Sequence, residues 1–380
     1  MNSPGIRLEL RIGKNVPEPV PLAFAEAVQE VEVTHTDEGR SGFQITFQAS
    51  RGGSQSQMDY PLLEGQLLDP FNRVIMIVTL GATPYVLMDG IITHHQLLPD
   101  EGSGETNLVI TGEDVSVMMD LEEKSVEHPG MDESTIANLI ITASDYSPYG
   151  MIAKVERPSV TDTPDVNERT PVQQCTDLEY LQQMAERYGF VFYVTPGPNS
   201  GKNTAYWGPP KFEGQPQKAL SVNMGPSTNV ERINFQYNAL SPTIVSGNVQ
   251  DRSSNDVISM QNSESERPQL AGQGPRDQSH IRTVLFRQTG LNANQATGRI
   301  QGMTDASVDQ AATAEGELDA LDYQGLLWPH KTVGVRGAGR SYDGLWYVKS
   351  VTHVIRIGEY KQRFTLSREG RSSTIERLNA

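Results

Sequence analysis

The chain has 380 residues, a formal charge of −16 at pH 7 and one cysteine. Its length predicts two or three domains, because a single hydrophobic core seldom serves more than about 250 residues. The excess of acid disfavours contact with a phosphate backbone, so we expect no specific nucleic-acid partner. The lone Cys175 excludes an intramolecular disulfide and a thiolate metal cluster within one chain.

The chain contains no apolar run of about 18 residues, so we expect a soluble protein with no membrane association. Residues 1–19 have neither the basic start nor the continuous apolar core of a secretory signal. We therefore expect synthesis and assembly in the cytoplasm of the producing cell.

Residues 1–115 are predicted to form a first β-barrel domain. Alternating or β-branched runs separated by turn residues indicate antiparallel strands. Asp89-Gly90 is typical of a tight turn or a bulge. The predicted strands are 6–10, 31–35, 43–48, 72–78, 86–96 and 106–114.

Residues 116–225 are predicted to form a mixed α/β domain. The segment 132–144 places Ile136, Leu139, Ile140 and Ala143 on one helical face, with Asp132 or Ser134 as the cap. The segment 176–194 predicts a second helix and a following strand. Thr176 and Glu179 fit a capping box, Gly189 suits a left-handed cap, and an apolar stripe lies between them: Leu178, Leu181, Met184, Ala185 and Tyr188. Residues 195–217 then read as a hairpin around TAYWG.

Residues 226–372 are predicted to form a second β-barrel domain, and residues 373–380 a tail. The polar run 251–280 has too few apolar residues to form a core of its own. We therefore expect a long surface segment that is ordered only if a partner or a neighbouring subunit covers it. Ala293, Ala296, Ile300 and Met303 indicate a helix near 292–306. Further strands are predicted at 230–237, 243–250, 331–337, 345–355 and 360–368.

Residues 31–48 and 349–368 share a V-T-H strand, a polar turn and a second strand. Two readings stay open: chance similarity between hairpins, or duplication of one barrel.

No metal or histidine site is expected. His94 and His95 are neighbours on a strand, so their rings point to opposite faces and do not chelate one ion. His35 and His353 are expected at strand ends with a satisfied ring nitrogen rather than as general bases.

Two glycine-rich segments resemble phosphate loops only superficially. GPNSGKN (197–203) has three residues between its glycines and no Ser or Thr after Lys202, and GVRGAGR (334–340) lies between strands without the dinucleotide spacing. We predict turns, and no cofactor.

We predict no enzyme. Carboxylate pairs lie in polar segments where solvated faces are expected, and short hydrolase motifs are missing: Glu122-Glu123, Glu264 and Glu266, and Glu315 and Glu317. Two alternatives remain. One is a tail-associated peptidoglycan or glycan hydrolase, which needs two carboxylates at a cleft. The other is a glycan-binding β module with an aromatic platform of Tyr206, Trp207 and Trp346, although the strong alternation around Trp346 favours burial of that ring or a barrel contact.

Two segments carry a family resemblance. DLEYLQQMAERYGFVFYV (177–194) resembles the helix-strand signature of the phage late control D family, the hub proteins of contractile tails related to the hub part of type VI secretion spike proteins. Residues 326–368 resemble the closing block of the same family. The matching positions that we take as a structural signature, rather than as catalytic groups, are Leu181, Ala185, Glu186, Gly189, Asp343, Gly344, Tyr347, Val348, Val351, His353 and Arg368.

The resemblance implies a mainly β fold with an α+β insert: two β-barrel domains per subunit, a mixed helical domain, and a homotrimer with a pseudo-sixfold ring. It implies a baseplate hub of a virion or injection particle that joins a hexameric tail tube to a separate trimeric spike protein, among other baseplate proteins. A separate spike is expected because few residues follow Arg368. We expect apolar groups at the subunit contacts and acid toward the lumen.

Overall fold

A computed structural model gives the structure of the protein, which is mainly β, as predicted. Among the helices of the part described, none is long and apolar enough to cross a membrane. The structure describes residues 2–3, 5–14, 16–49, 60, 62–99, 106–167, 169–252, 254–262, 264–274 and 280–374.

The strands predicted in the N-terminal part are confirmed. Apolar side chains alternate with polar ones along most of them, as expected of strands with one face on a core. In chain order the elements are β1 (Asn2–Ser3), β2 (Ile6–Gly13), β3 (Glu18–Pro19), α1 (Leu22–Ala27), β4 (Val28–Thr36), β5 (Gly42–Gln48), β6 (Arg73–Leu80), β7 (Thr83–Pro99) and β8 (Thr106–Asp114).

The middle part contains both predicted helices and the strand after the second one. Short 3-10 helices cover Val115–Met119 and Ser144–Tyr149. The other elements are β9 (Lys124–Glu127), α2 (Glu133–Ile141), β10 (Met151–Val155), β11 (Val172–Cys175), α3 (Asp177–Arg187), β12 (Val191–Pro196) and β13 (Asn203–Gly208).

Among the described residues, the C-terminal part has eleven strands and one long helix, with a 3-10 turn at Gly225–Ser227. Its elements are β14 (Gln217–Ser221), β15 (Arg232–Tyr237), β16 (Thr243–Gln250), β17 (Val257–Asn262), β18 (Ala271–Gln273), β19 (Arg282–Leu285), α4 (Ala293–Val308), β20 (Ala312–Asp319), α5 (Ala320–Tyr323), β21 (Thr332–Arg336), β22 (Gly344–Arg356), β23 (Glu359–Arg368) and β24 (Arg371–Ser373).

One 14-stranded sheet joins the two ends of the chain. Its order is β1-β2-β6-β7-β8-β5-β4-β22-β23-β20-β15, with β3 on β2, β21 on β22 and β14 on β21. The two closed barrels expected from the sequence are not found in the described strand pairings. The physical reason is the pairing of β4 with β22: the strand edges available for closing each half are joined to the other half instead.

The two V-T-H strands are direct neighbours in this sheet. They run antiparallel with Thr34 opposite Thr352, and the two Oγ1 atoms lie 2.9 Å apart. His35 pairs with Val351 and Val33 with His353, so identical residues are related by a local twofold axis through the threonine pair.

The strands next to the two V-T-H strands also correspond, because each pair contains a matching Phe-Gly contact. Phe43 lies opposite Gly112 and Phe364 opposite Gly316, and in both cases a Cβ on the glycine would stand 2.4 Å from the ring Cζ of its phenylalanine. Two matching Phe-Gly pairs, each one strand away from a V-T-H strand, favour duplication over chance similarity.

Helix α3 forms as its sequence predicts. Thr176 Oγ1 accepts the Glu179 amide at 3.2 Å, and Gly189 takes a left-handed conformation with φ 63° just beyond the C-terminus. The apolar stripe is buried. Below it, the indole nitrogen of Trp207 donates to the Leu181 carbonyl at 3.0 Å, which ties the helix to β13.

Several local expectations are corrected. Asp89-Gly90 is no turn but the middle of β7, and the bulge-like register shifts of that strand lie on either side of it, between Val86 and Met88 and between Ile92 and His94. A Cβ at Gly90 would lie 2.4 Å from the Glu113 carbonyl oxygen, so glycine permits close strand contact there. Leu139 and Met303 are 49% and 37% exposed rather than on buried faces, because each helix packs on one side only.

The structure describes only part of the polar run 251–280. Residues 253, 263 and 275–279 lie outside the described residues, as do 375–380 of the predicted tail. In the described remainder, β17 pairs with β16 and β18 pairs with β24. In the described part of this run, backbone pairing to neighbouring strands of the same chain satisfies main-chain groups. The need for a partner stays a prediction.

Candidate functional site

A cavity of about 400 Å³ lies where the two signature segments meet. We call it the acidic cavity. The turn after β4 and the end of α3 form one side, and the end of α4 with strands β22 and β23 forms the other. Its lining includes Asp37, Glu38, Ala185, Glu186, Gly189, Asp309, Gln310, Tyr347, Lys349 and Ser367.

Asp37 lies deep in the acidic cavity. The Tyr347 hydroxyl donates to its Oδ2 at 2.9 Å, while its Oδ1 has no hydrogen-bond partner. Burial raises the pKa of the Asp37 carboxyl to about 7, against the smaller lowering effects of the Tyr347 hydroxyl and the Lys349 ammonium.

Asp309 follows α4 and faces the same cavity. Its Oδ2 lies 3.4 Å from Arg267 Nε, and its Oδ1 has no partner. Burial raises its pKa to about 7; the Arg267 guanidinium opposes this shift, whereas Asp305 and Asp37 add to it.

The rim of the acidic cavity is tied by hydrogen bonds. Lys349 Nζ donates to Glu38 Oε1 at 2.5 Å, and Gln310 Nε2 donates to the same oxygen at 2.7 Å. Glu186 is exposed. Lys349, the cation among the described lining residues, is therefore already paired with Glu38.

Arg368 organises the signature turn beside this site. Its guanidinium donates to the carbonyls of Gly370, Asp343 and Ser341 at 2.9, 3.1 and 2.8 Å and lies 4.1 Å from the centre of the Trp346 ring. Burial lowers its pKa to about 10. The Asp-Gly turn and the final arginine of the signature are thus one structural unit.

The remaining signature positions are packing residues. Gly344 and Tyr347 are buried, Ala185 is 2% exposed, and Asp343 accepts the Ala338 amide through Oδ1 at 2.8 Å. Four side chains have no accessible surface: Leu181, Val348, Val351 and His353. Burial of these groups explains why the signature offers no reactive set.

His35 and His353 form an edge-to-face pair with ring centroids 5.9 Å apart. His35 lies at the end of β4, as expected, whereas His353 lies inside β22. His35 Nε2 lies 2.7 Å from the Leu87 carbonyl, and His353 Nδ1 lies 2.9 Å from the Tyr360 hydroxyl, so each ring has the satisfied nitrogen that was expected. Burial lowers the pKa of His35 to about 4. Both imidazoles are therefore neutral at pH 7.

A second cavity of about 490 Å³ has an aromatic lining that includes Tyr85, Tyr193, Trp328 and His330. The His330 and Tyr193 rings stack at 3.6 Å, and burial lowers the pKa of His330. Neither ring nitrogen of His330 has a partner among the described side chains and backbone.

The other candidates from the sequence stay apart. His94 is exposed and His95 contacts the Leu68 carbonyl, and the described residues contain no group of three His, Cys, Asp or Glu that could hold a metal. Residues 197–203 form the predicted turn between β12 and β13, and 334–340 the predicted strand end and turn.

The aromatic platform is wrong. Tyr206, Trp207 and Trp346 have no exposed surface, because all three pack inside cores. Glu317 pairs with Arg232 at 2.9 Å, which is an ordinary solvated contact. Sequence reasoning missed Asp37 and Asp309: nothing local marks them, since their burial arises only when distant strands and helices meet.

The fold is shared with phage tail proteins along almost its whole length. A tail protein from Neisseria meningitidis has a TM-score of 0.63 at 13% sequence identity, over 96% of this chain and 97% of that one. The 43 kDa tail protein of prophage MuSo2 from Shewanella oneidensis has the same score at 12% identity, over 95% and 98%. At such identities the likeness defines a fold, which is the phage tail protein fold.

A type VI secretion component of Escherichia coli, described as similar to the T4 tail proteins gp27 and gp5, matches with a TM-score of 0.51 at 12% identity, over 90% of this chain and 73% of that one. By sequence, a family model described as the Alg8 N-terminal domain matches residues 25–357, so the chain belongs to the family which that model defines. That description names no reaction. No curated protein sequence matches the chain, and membership of the late control D family stays a prediction.

Proposed function

We propose that the chain is a structural hub of a contractile tail or injection machine: a homotrimer that joins a hexameric tail tube to a trimeric central spike. The observation that carries the proposal is the shared fold over nearly the full length of both chains with two phage tail proteins. The proposal covers phage tails, tailocins and secretion-like injectors alike.

The internal repetition of the chain supports an adaptor role. Two related halves meet at Thr34 and Thr352, each with a Phe-Gly pair in the neighbouring strands. Three copies of such a chain present six similar units on one side and three identical chains on the other. A sixfold tube and a threefold spike can be joined by a piece with that property.

The hub would act mechanically, holding the spike at the tip until contraction drives tube, hub and spike outward. Its partners would be the tube protein, a spike protein and other baseplate proteins, in the baseplate of a particle assembled in the producing cell. In this role α3, capped at both ends and tied to Trp207, serves as a rigid brace.

Light scattering coupled to size exclusion tests the proposal, on the protein alone and with a spike protein encoded nearby. We expect about 125 kDa, three times 41.8 kDa, alone or on adding the spike. A trimeric protein unrelated to tails replaces the spike as the control. A strict monomer under every condition contradicts the hub and leaves the fold as the only likeness.

We further propose that the chain catalyses no reaction. Of the four carboxyls that line the acidic cavity, Asp37 and Asp309 both have a pKa that burial raises to about 7, so neither serves as the ionised partner of the other. Hydrolysis needs a protonated acid and an ionised partner, hence environments that push the two values apart. Zymography on peptidoglycan checks this: clearing that disappears in Asp309→Asn would establish the hydrolase instead.

A further inference from the structure

The acidic cavity carries more negative than positive groups. Asp37, Glu38, Glu186 and Asp309 line it, against Lys349 alone. Lys349 is already bonded to Glu38. Charge complementarity therefore favours a cationic occupant.

The two deepest carboxyls each have an unused acceptor. Tyr347 holds one oxygen of Asp37, and Arg267 faces one oxygen of Asp309, but neither Oδ1 has a partner. A buried carboxylate oxygen without a donor is destabilising, because it has lost the hydrogen bonds that water would make. Donors supplied from the cavity would remove that cost.

The ligands available in the described residues favour an organic cation over a metal ion as the occupant of the acidic cavity. Hard metal ions take about six to eight oxygen ligands, and no cluster of three or more metal-ligating side chains occurs in the described part of the chain. A guanidinium instead offers five N–H donors in a planar fork that suits carboxylates. Asp37 and Asp309 both line the acidic cavity, so a guanidinium held inside it lies against both carboxyl groups.

We propose that the acidic cavity receives an arginine side chain of a partner protein, whose guanidinium donates to Asp37 and Asp309. This inference goes beyond the hub role and does not rest on it. The occupant is a basic residue on a protein surface rather than a metal or an anion.

Binding of a guanidinium to these carboxyls should depend on pH, because protonation removes their negative charge. Asp37 faces Tyr347, Lys349, Glu38 and the ring of Tyr193, and Asp309 faces Arg267 and Asp305. With both carboxyls titrating near pH 7, the guanidinium binds the ionised pair, and protonation competes with it. Affinity should therefore rise with pH between 6 and 8.

Ligand-observed NMR titration of the full chain with arginine amide tests the proposal, and citrulline amide is the neutral isostere. We expect saturable binding of arginine amide that is at least about tenfold tighter at pH 8 than at pH 6, and none for citrulline amide. Asp37→Asn and Asp309→Asn should each weaken it about tenfold. Glu26→Gln, an exposed acid outside the cavity, should not change it.

Three results would overturn the proposal: no saturation by arginine amide, equal binding of citrulline amide, or binding indifferent to both pH and the two substitutions. The pH series and the citrulline comparison use the unaltered protein, so they remain decisive if a variant fails to fold. If the protein is a monomer that binds arginine amide, the hub proposal fails and the arginine-binding proposal stands. If it is a trimer that does not bind arginine amide, the arginine-binding proposal fails and the hub proposal stands.

Discussion

At the scale of single residues, Asp37 shows how burial turns an ordinary carboxyl into a group that titrates near neutrality. Its pKa is about 7 in the folded chain, against 3.8 for the unperturbed group. A carboxyl with a raised folded pKa favours folding most when protonated. Stability is lost as pH rises from about 4 through 7, and is constant above that range.

Replacing this carboxyl by its neutral isostere should therefore stabilise the chain at high pH. Asp37→Asn keeps an oxygen to accept the Tyr347 hydroxyl and removes the buried charge. We expect its advantage in unfolding free energy over the unaltered chain to grow by about 2 kcal/mol between pH 5 and pH 8, measured by urea denaturation. Glu26→Gln should show no such growth, and an advantage independent of pH would contradict the burial argument.

Arg368 is the second residue whose surroundings decide its role. It is fully buried, yet its charge is satisfied by three backbone carbonyls and the face of Trp346. These hydrogen bonds keep the buried guanidinium charged, because the oriented carbonyl dipoles take the place of water.

Arg368→Met should destabilise the protein by about 3 kcal/mol, because it leaves three carbonyls without donors while keeping most of the side-chain volume. Thermal and urea unfolding measure the effect. Arg363→Met, at a position 50% exposed on the same strand, is the matched control and should cost under about 1 kcal/mol. Equal losses for the two variants would mean that the carbonyl contacts contribute nothing.

At the scale of elements, the contact between α3 and α4 depends on glycine. A Cβ at Gly302 would lie 2.4 Å from the Tyr188 carbonyl carbon and 2.7 Å from the Gly189 amide nitrogen. By intrinsic propensity alone, a glycine inside α4 weakens the helix. The structure shows the compensating reason: the backbone after α3 packs directly on that of α4.

Gly302→Ala should lower the unfolding free energy by about 2 kcal/mol or more, although alanine is the better helix former by about 1 kcal/mol. Gly65→Ala, where a Cβ would meet nothing within 4 Å and no positive φ is required, is the control. A stabilised Gly302→Ala chain in a chemical denaturation series would show that helix propensity outweighs the contact and that the two backbones can separate.

At the scale of the whole molecule, a single sheet carries the two ends of the chain. Arg73 and Asp89 form a buried ion pair at 2.6 and 2.7 Å, and Asn203 of β13 donates to the same carboxylate at 2.9 Å. This links the sheet to the middle part. A continuous sheet that is hydrogen-bonded to the middle part suits a protein that transmits force, which is the role proposed above.

The sequence by itself determined the local elements: strand alternation, the caps of α2 and α3, and the turn at 197–203 follow from neighbouring residues, whose sterics and hydrogen bonds need no distant partner. The repeated V-T-H strands were also visible in the sequence. Their direct pairing with each other was not. Only the tertiary structure decided that pairing, the burial of Tyr206, Trp207 and Trp346, and the meeting of Asp37 with Asp309. Desolvation and strand partnering depend on groups far apart in the chain, which no short pattern encodes.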